Sequence, residues 1–154
     1  MKLINILLLV AVIAFSTGCG QMKVKPISTP ELNVATAYSG MSAEDVESAI
    51  LTACKNRGWK IINQTDDSID ATIHVRGKHS ASVCINFSAS HVKIDYKDSV
   101  NLRYGQYRDL EKEDEDIRIP KIHYNYNRWV EYLLLDINSA LERLEKSRTH
   151  SNEV

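Results

Sequence analysis

The feature that most constrains the fold is an alternation of apolar and polar residues between positions 69 and 97. Apolar residues fall at every second position in Ile69 to Arg76, and the pattern returns in Ser80 to Phe87 and in Val92 to Lys97. A period of two is typical of strands with one face buried and the other in water. The alternation therefore predicts an antiparallel sheet with one apolar face.

Loop lengths between these strands predict which residues lie opposite each other. Opposed residues in an antiparallel pair point to the same side of the sheet, so only a loop with an odd number of residues keeps the apolar sets together. We therefore predict a three-residue turn at Gly77-Lys78-His79. The predicted pairs are Ile73 with Val83, Ala71 with Ile85, Ile85 with Ile94, and Val83 with Tyr96.

Helical patterns flank the strands. The first strand, which precedes the three described above, is predicted at Trp59 to Gln64. Ser42 with Asp45 is typical of a helix start, and Arg57-Gly58 of a helix end. A stripe from Tyr126 to Leu144 predicts a second, longer helix, with Asn125 as its cap. We predict an α+β fold: a helix, a four-stranded antiparallel meander, and a long C-terminal helix packed on one sheet face.

The other face of the predicted sheet is polar throughout. Such a face is either solvated, as is normal for an antiparallel sheet, or offered to a partner; alternation alone favours solvation. Its predicted members are Thr72, His74, Arg76, Ser82, Cys84, Asn86, Lys93, Asp95 and Lys97.

Two cysteines, Cys54 and Cys84, lie within the predicted domain. Cys54 falls on the apolar stripe of the first helix and Cys84 on the polar sheet face, so their side chains point apart and a disulfide is not expected. The predicted register sets Cys84 opposite Asp95 and Thr72, with His74 diagonal to it. These residue types can bind metals, but their spacing matches no metal motif. We predict no metal and no cofactor.

The N-terminus has the order of a signal peptide. Lys2 precedes an apolar run from Leu3 to Phe15, which is too short to cross a bilayer comfortably. The run ends at Ser16-Thr17-Gly18-Cys19, which resembles the lipobox of bacterial lipoproteins, although that motif usually has Leu where Ser16 stands. The resemblance implies cleavage before Cys19, a diacylglycerol thioether on its sulfur and a fatty acyl group, such as palmitate, on its amine.

These features predict a precursor with four parts. Residues 1–18 are a lipoprotein signal peptide, 19–40 the lipidated cysteine and a tether, 41–147 the α+β globular domain, and 148–154 a disordered tail. The residue after the cysteine is Gly20 rather than an aspartate, which favours the periplasmic face of the outer membrane over the inner membrane. The mature chain would have the membrane as its first partner, through the lipid anchor.

Charge and missing motifs limit the function. Removal of Lys2 leaves 18 basic and 20 acidic residues, a net charge of −2, so nucleic acid is not an expected partner. The chain has no nucleophile elbow, zinc-protease motif or phosphate-binding glycine loop, and we predict that it is not an enzyme. Residues 98–120 include the acidic run 111–116 and are expected to form an exposed loop.

Two short motifs are the most distinctive text of the chain. Residues 98–104 read DSVNLRY and residues 122–130 read IHYNYNRWV. As DS-x-NL-x-Y and IH-x-x-YN-x-WV they resemble signatures of a family of small bacterial lipoproteins of uncharacterised activity. The resemblance would cover about Ala43 to Leu144 and implies a lipoprotein without implying a reaction.

The residues of these motifs allow two interpretations. On the first they tie loops and pack the last helix. On the second they form a recognition edge, since Tyr, Trp and Asn are favoured at interfaces. On the second interpretation the domain is a binding or adaptor module for an envelope protein or cell-wall component. The alternative is a small-ligand-binding protein or enzyme with a site near Asn101 and His123. The candidate partner-binding residues are Asn101, His123, Tyr126, Asn127 and Trp129.

Overall fold

The computed structural model of the protein describes residues 23–112 and 117–151; the predicted signal peptide and Cys19 lie outside them. The described part contains eight strands and three helices. In chain order they are β1 (Val24–Pro26), β2 (Glu31–Asn33), α1 (Val34–Ala37), α2 (Ala43–Arg57), β3 (Lys60–Gln64), β4 (Ser68–Val75), β5 (His79–Phe87), β6 (His91–Val100), β7 (Gly105–Arg108), β8 (Arg118–His123) and α3 (Tyr124–Ser151).

The strands form two antiparallel sheets. The larger has the order β2-β6-β5-β4-β3, in which β3 to β6 are the predicted meander and β2 adds a fifth strand. The smaller has the order β1-β8-β7. The helices α2 and α3 pack against each other, and their buried side chains share one core with the apolar face of the larger sheet. The α+β class and the long C-terminal helix on one sheet face are confirmed.

Helix α2 has the ends that the sequence predicts. Ser42 accepts a hydrogen bond from the Asp45 amide and Asp45 accepts one from the Ser42 amide, a reciprocal capping box. Gly58 ends the helix with φ +77°, a left-handed conformation that glycine adopts without strain. The predicted stripe at residues 46, 49, 50, 53 and 54 is buried.

The predicted register between β4 and β5 is wrong by two residues, although the faces are right. The turn is Arg76-Gly77-Lys78, which closes the pair Val75 with His79 and sets Ala71 opposite Val83. The turn requires left-handed backbone at both Arg76 (φ +54°) and Gly77 (φ +64°), so Arg76 leaves the strand. The predicted pairs between β5 and β6, Ile85 with Ile94 and Val83 with Tyr96, are confirmed.

The tether predicted for residues 19–40 is wrong from Val24 onwards. Strand β1 pairs with β8, and β2 pairs with β6 at the edge of the larger sheet. Val34 is fully buried and the hydroxyl of Tyr38 bonds to Asn138 on α3. Short strands without alternation pair here with residues far away in the chain, and this part of the chain belongs to the domain.

The segment 98–120 is also more ordered than predicted. Residues 98–100 extend β6, and β7 and β8 form a hairpin that places Gln106 opposite Pro120. Pro120 lies in β8, the central strand of the smaller sheet, although the missing N–H usually confines proline to edge strands. It precedes Lys121, where the pairing of β8 with β1 begins. Part of the acidic run, residues 113–116, lies outside the described residues.

Helix α3 supplies the largest part of the helical core. Of its predicted stripe, Tyr126, Val130, Leu133, Ile137 and Leu141 are fully buried. The helix continues to Ser151, so the tail predicted to be disordered from residue 148 is helical over its first four residues. Within residues 23–112 and 117–151, no helix is long and apolar enough to cross a membrane.

Candidate functional site

Asn101 ties the loop after β6 to the turn after β4. Its amide nitrogen donates to the carbonyl of Lys78 at 2.6 Å, and its own carbonyl lies 3.0 Å from Nδ1 of His79. Its φ of +58° is a left-handed conformation that asparagine tolerates better than most residues. The side chain therefore acts as a loop tie.

His123 caps α3, whereas the sequence pattern predicted Asn125 as the cap. Its Nδ1 accepts a hydrogen bond from the backbone amide of Asn125 at 3.2 Å, and its ring stacks on Tyr124 with centroids 4.7 Å apart. Burial, followed by the nearby charges of Arg103, His79 and Lys23, lowers the pKa of the imidazole. The neutral ring suits a cap, because its Nδ1 must accept.

Asn127 and Tyr126 also serve the fold. The Asn127 side chain accepts from the Ser28 amide at 3.1 Å and donates to the Pro26 carbonyl at 2.8 Å, which fastens the N-terminal segment to α3. Tyr126 is 0% exposed and packs edge-on against Tyr96. Its prediction as a partner-binding residue is wrong, because α3 turns its ring into the core.

Trp129, one of the predicted partner-binding residues, lines a cavity at the surface of the described domain. The cavity measures about 250 Å³ and lies between the β4–β5 turn and the first turns of α3. We call it the arginine cleft. Its lining consists of Val75, Arg76, His79, Asn125, Arg128, Trp129 and Tyr132.

The arginine cleft is cationic and has an aromatic wall. The Arg128 guanidinium donates to the hydroxyl of Tyr132 at 3.3 Å and lies over its ring, as does that of Arg57, 5.1 Å from the centroid. Arg128, through this bond and its charge, lowers the pKa of the Tyr132 hydroxyl. Within the described chain no carboxylate lines the cleft, and neither Arg76 nor Arg128 forms an ion pair there. Two guanidinium groups are thus open to an anionic ligand.

One residue of the cleft, Arg76, has a strained backbone conformation. The residues other than glycine with positive φ in the described ranges are Arg76, Asn101 and Arg103. A left-handed conformation costs a residue such as arginine about 1–2 kcal/mol. Strain of this kind is often retained where a side chain must be aimed at a ligand, and Arg76 lines the cleft.

The polar face of the larger sheet satisfies its own charges. Lys97 pairs with Asp70 at 2.6 Å and Lys93 with Asp95 at 2.9 Å, while Thr72 and Ser82 are joined by a hydrogen bond of 2.7 Å. Because these lysines and aspartates are already paired, little unpaired charge remains among them for a ligand to neutralise. The solvated interpretation of this face therefore accounts for its contacts.

The two cysteines are free, as predicted, and lie on opposite sides of the sheet. Cys54 is fully buried, which raises the pKa of its thiol to about 12. Cys84 lies opposite Asp95, as predicted, but its other neighbour is Asp70 and not Thr72, because of the two-residue shift. The described residues contain no group of three side chains arranged to hold a metal.

Sequence reasoning missed Arg76 and Arg128 as site residues. Arg128 was inside the second motif, four residues before Tyr132, a helical spacing that brings the two side chains together. Arg76 carried no signal beyond its position next to Gly77, since only the observed turn brings it towards α3.

The cleft is lined by groups whose chemistry suits contact with an anion. It has cationic and aromatic groups and one imidazole, His79, whose Nδ1 faces the Asn101 carbonyl. Asn101 and His123, the centre of the alternative site, do not line it. Comparisons with models of protein families, with curated proteins and with solved structures found no match.

Proposed function

We propose that this chain is a lipid-anchored, non-catalytic binding module of the bacterial cell envelope. Lipid on Cys19 would hold it to a membrane with the domain facing the periplasm, and the outer membrane is favoured. The support for the anchor is the order of Lys2, the apolar run, small residues and Cys19. The partner would be an envelope component rather than nucleic acid.

The observation that carries the binding role is the convergence of Arg76 and Arg128 on a cleft without a described carboxylate. Guanidinium groups present fixed forks of N–H donors that match carboxylates and phosphates. Trp129 adds a flat surface on which a ring can stack, whereas the ring of Tyr132 already lies against the guanidinium groups of Arg57 and Arg128. The ligand that fits this chemistry carries an anionic group on a ring, as acidic sugars and sugar phosphates do.

The binding role is tested by calorimetric titration of the mature protein with trigalacturonate and with glucose 6-phosphate, using maltotriose as the neutral probe. At least one anionic probe should bind and maltotriose should not. Loss of a charge-assisted hydrogen bond in Arg128→Gln should weaken binding about tenfold or more. Arg76→Asn should do the same while keeping a residue that tolerates left-handed backbone.

The matched control for these variants is Arg143→Gln. Arg143 is exposed and lies on α3 outside the cleft, so its loss should leave the affinity unchanged. Binding that is equal in wild type, Arg76→Asn and Arg128→Gln, or no binding of either anionic probe, would remove the cleft as the site.

A further inference from the structure

We infer that one edge of the domain lies against the membrane and binds the anionic headgroups of its phospholipids; this rests on the proposed lipidation of Cys19. We call this surface the anchor edge. Its residues are Lys23, Lys78, His79, Arg103, Tyr104 and His123.

Hydrogen bonds of the backbone and loops hold the anchor edge together. The Lys23 carbonyl accepts from the amide of Tyr124 at 2.9 Å, so Lys23 lies beside the start of α3. The His123 amide donates to the carbonyl of Leu102 at 2.7 Å, which brings in the loop containing Arg103 and Tyr104. The Asn101 contacts described above add Lys78 and His79. Four chain segments thus meet at one place.

The distance along the chain from the lipid to this edge is short. Three residues separate Cys19 from Lys23, and the four Cα–Cα steps reach at most about 14 Å when fully extended. The headgroup layer on each side of a bilayer is about 5–8 Å thick. An acylated Cys19 would therefore keep Lys23, and the segments bonded to it, within reach of the headgroups.

The composition of the anchor edge suits an anionic surface. Lys23, Lys78 and Arg103 are exposed, and none of them forms an ion pair with a carboxylate in the parts of the chain described. Tyr104 is 48% exposed although its ring stacks on Tyr96, and tyrosine is favoured at the level of the headgroups. Basic side chains are attracted to an anionic leaflet and a tyrosine ring is favoured at the headgroups, so these four residues suit contact with anionic lipids.

The anchor edge and the arginine cleft adjoin at His79, which belongs to both. Arg103, His79 and Lys23 are close enough to His123 for their charges to lower its pKa, after the larger effect of burial. Basic side chains therefore follow one another from the anchor edge to the arginine cleft. An anionic membrane would attract this side of the domain most strongly.

The test uses the full chain, expressed with its own leader, purified from membranes in detergent and reconstituted into vesicles. One set contains phosphatidylcholine alone, and the other contains about one third phosphatidylglycerol, which gives an anionic surface. Acetylation of each lysine is followed by mass spectrometry. Lys23 and Lys78 should react about fivefold more slowly on anionic than on neutral vesicles. The reason is that an anionic surface favours the headgroup-bound state of each basic side chain by about this factor.

Lys146 is the internal control, because it lies about 33 Å along α3 from Tyr124. Its rate should be the same on both vesicles. Arg103→Glu should abolish most of the difference between the two vesicle types at Lys23 and Lys78. Arg143→Glu, which changes a residue of α3 close to Lys146, should keep the difference. High salt should also reduce the difference by screening.

The two proposals fail in different ways in this experiment. Protein that does not float with neutral vesicles has no lipid anchor, and the proposed function fails. Protein that floats with both vesicles but shows equal rates at Lys23 and Lys78 has its anchor and lacks the headgroup contact. Protection at Lys146 instead of Lys23 and Lys78 would place a different face on the membrane and overturn the inference.

Discussion

Tyr126 illustrates how a residue type that is favoured at interfaces can belong to the core. Its ring is fully buried, and within the described residues its hydroxyl has no hydrogen-bond partner. Burial raises the pKa of that hydroxyl, which keeps it neutral. The hydroxyl of Tyr38 differs, since it lies 2.8 Å and 2.9 Å from two oxygens of Asn138.

This contrast predicts opposite responses to removal of one oxygen atom. Tyr126→Phe should leave the free energy of unfolding unchanged or raise it by about 1 kcal/mol, because an unsatisfied buried hydroxyl is removed. Tyr38→Phe should lower it by about 1 kcal/mol, because a hydrogen bond is lost. Urea unfolding of both variants measures the difference. A loss in Tyr126→Phe as large as in Tyr38→Phe would show that the Tyr126 hydroxyl has a stabilising partner.

The sequence indicated that the residues of the second motif are important, but it did not distinguish binding residues from residues that stabilise the fold. The second motif contains Trp129 and Arg128 of the cleft. It also contains His123, which caps α3, Tyr126, which packs in the core, and Asn127, which fastens the N-terminal segment to α3. All of these residue types occur in binding surfaces as well as in local ties, and only the geometry separates the two roles.

Among the elements, β1 depends most on a single side chain. It has three residues, lies at one edge of the smaller sheet and pairs only with β8. The Asn127 amide bonds to Pro26 and Ser28 just where β1 ends. A strand this short has few ladder bonds of its own, so the side-chain ties should control its opening.

Asn127→Ala should therefore increase amide exchange in β1 and at Ser28, and lower the free energy of unfolding by about 2 kcal/mol for two lost hydrogen bonds. Exchange in α2 should change little. Asn125→Ala is the matched control, because Asn125 is also in the first turn of α3 and its side chain forms no hydrogen bond within the described residues. Equal exchange of β1 in the two variants would contradict a fastening role for Asn127.

Elements with a strong period were predictable, and the others were not. Helix α2, strands β4 to β6 and α3 carry apolar periods over many residues, whereas β3 is short and exposed. Strands β1, β2, β7 and β8 are short, and their stability comes from partners that sequence patterns do not reveal. The shift between β4 and β5 has a related cause: a slip of two residues leaves every side chain on the same face, so alternation cannot detect it.

For the whole molecule, the important result is where the fold begins. The predicted tether of residues 19–40 would have let the domain move freely above a membrane. With the chain fixed from Lys23 onwards, a lipid on Cys19 would instead be joined to one defined edge, next to the arginine cleft. The cleft would then lie close to the membrane surface, because it shares His79 with the anchor edge.

Whether Cys19 carries a lipid is decided by intact-mass and N-terminal peptide mass spectrometry of protein purified from membranes. We expect a mature chain that begins at Cys19 and carries a diacylglycerol group and an additional acyl chain, with both modifications absent from Cys19→Ser. A mature chain that begins at another residue and carries no lipid would contradict the account.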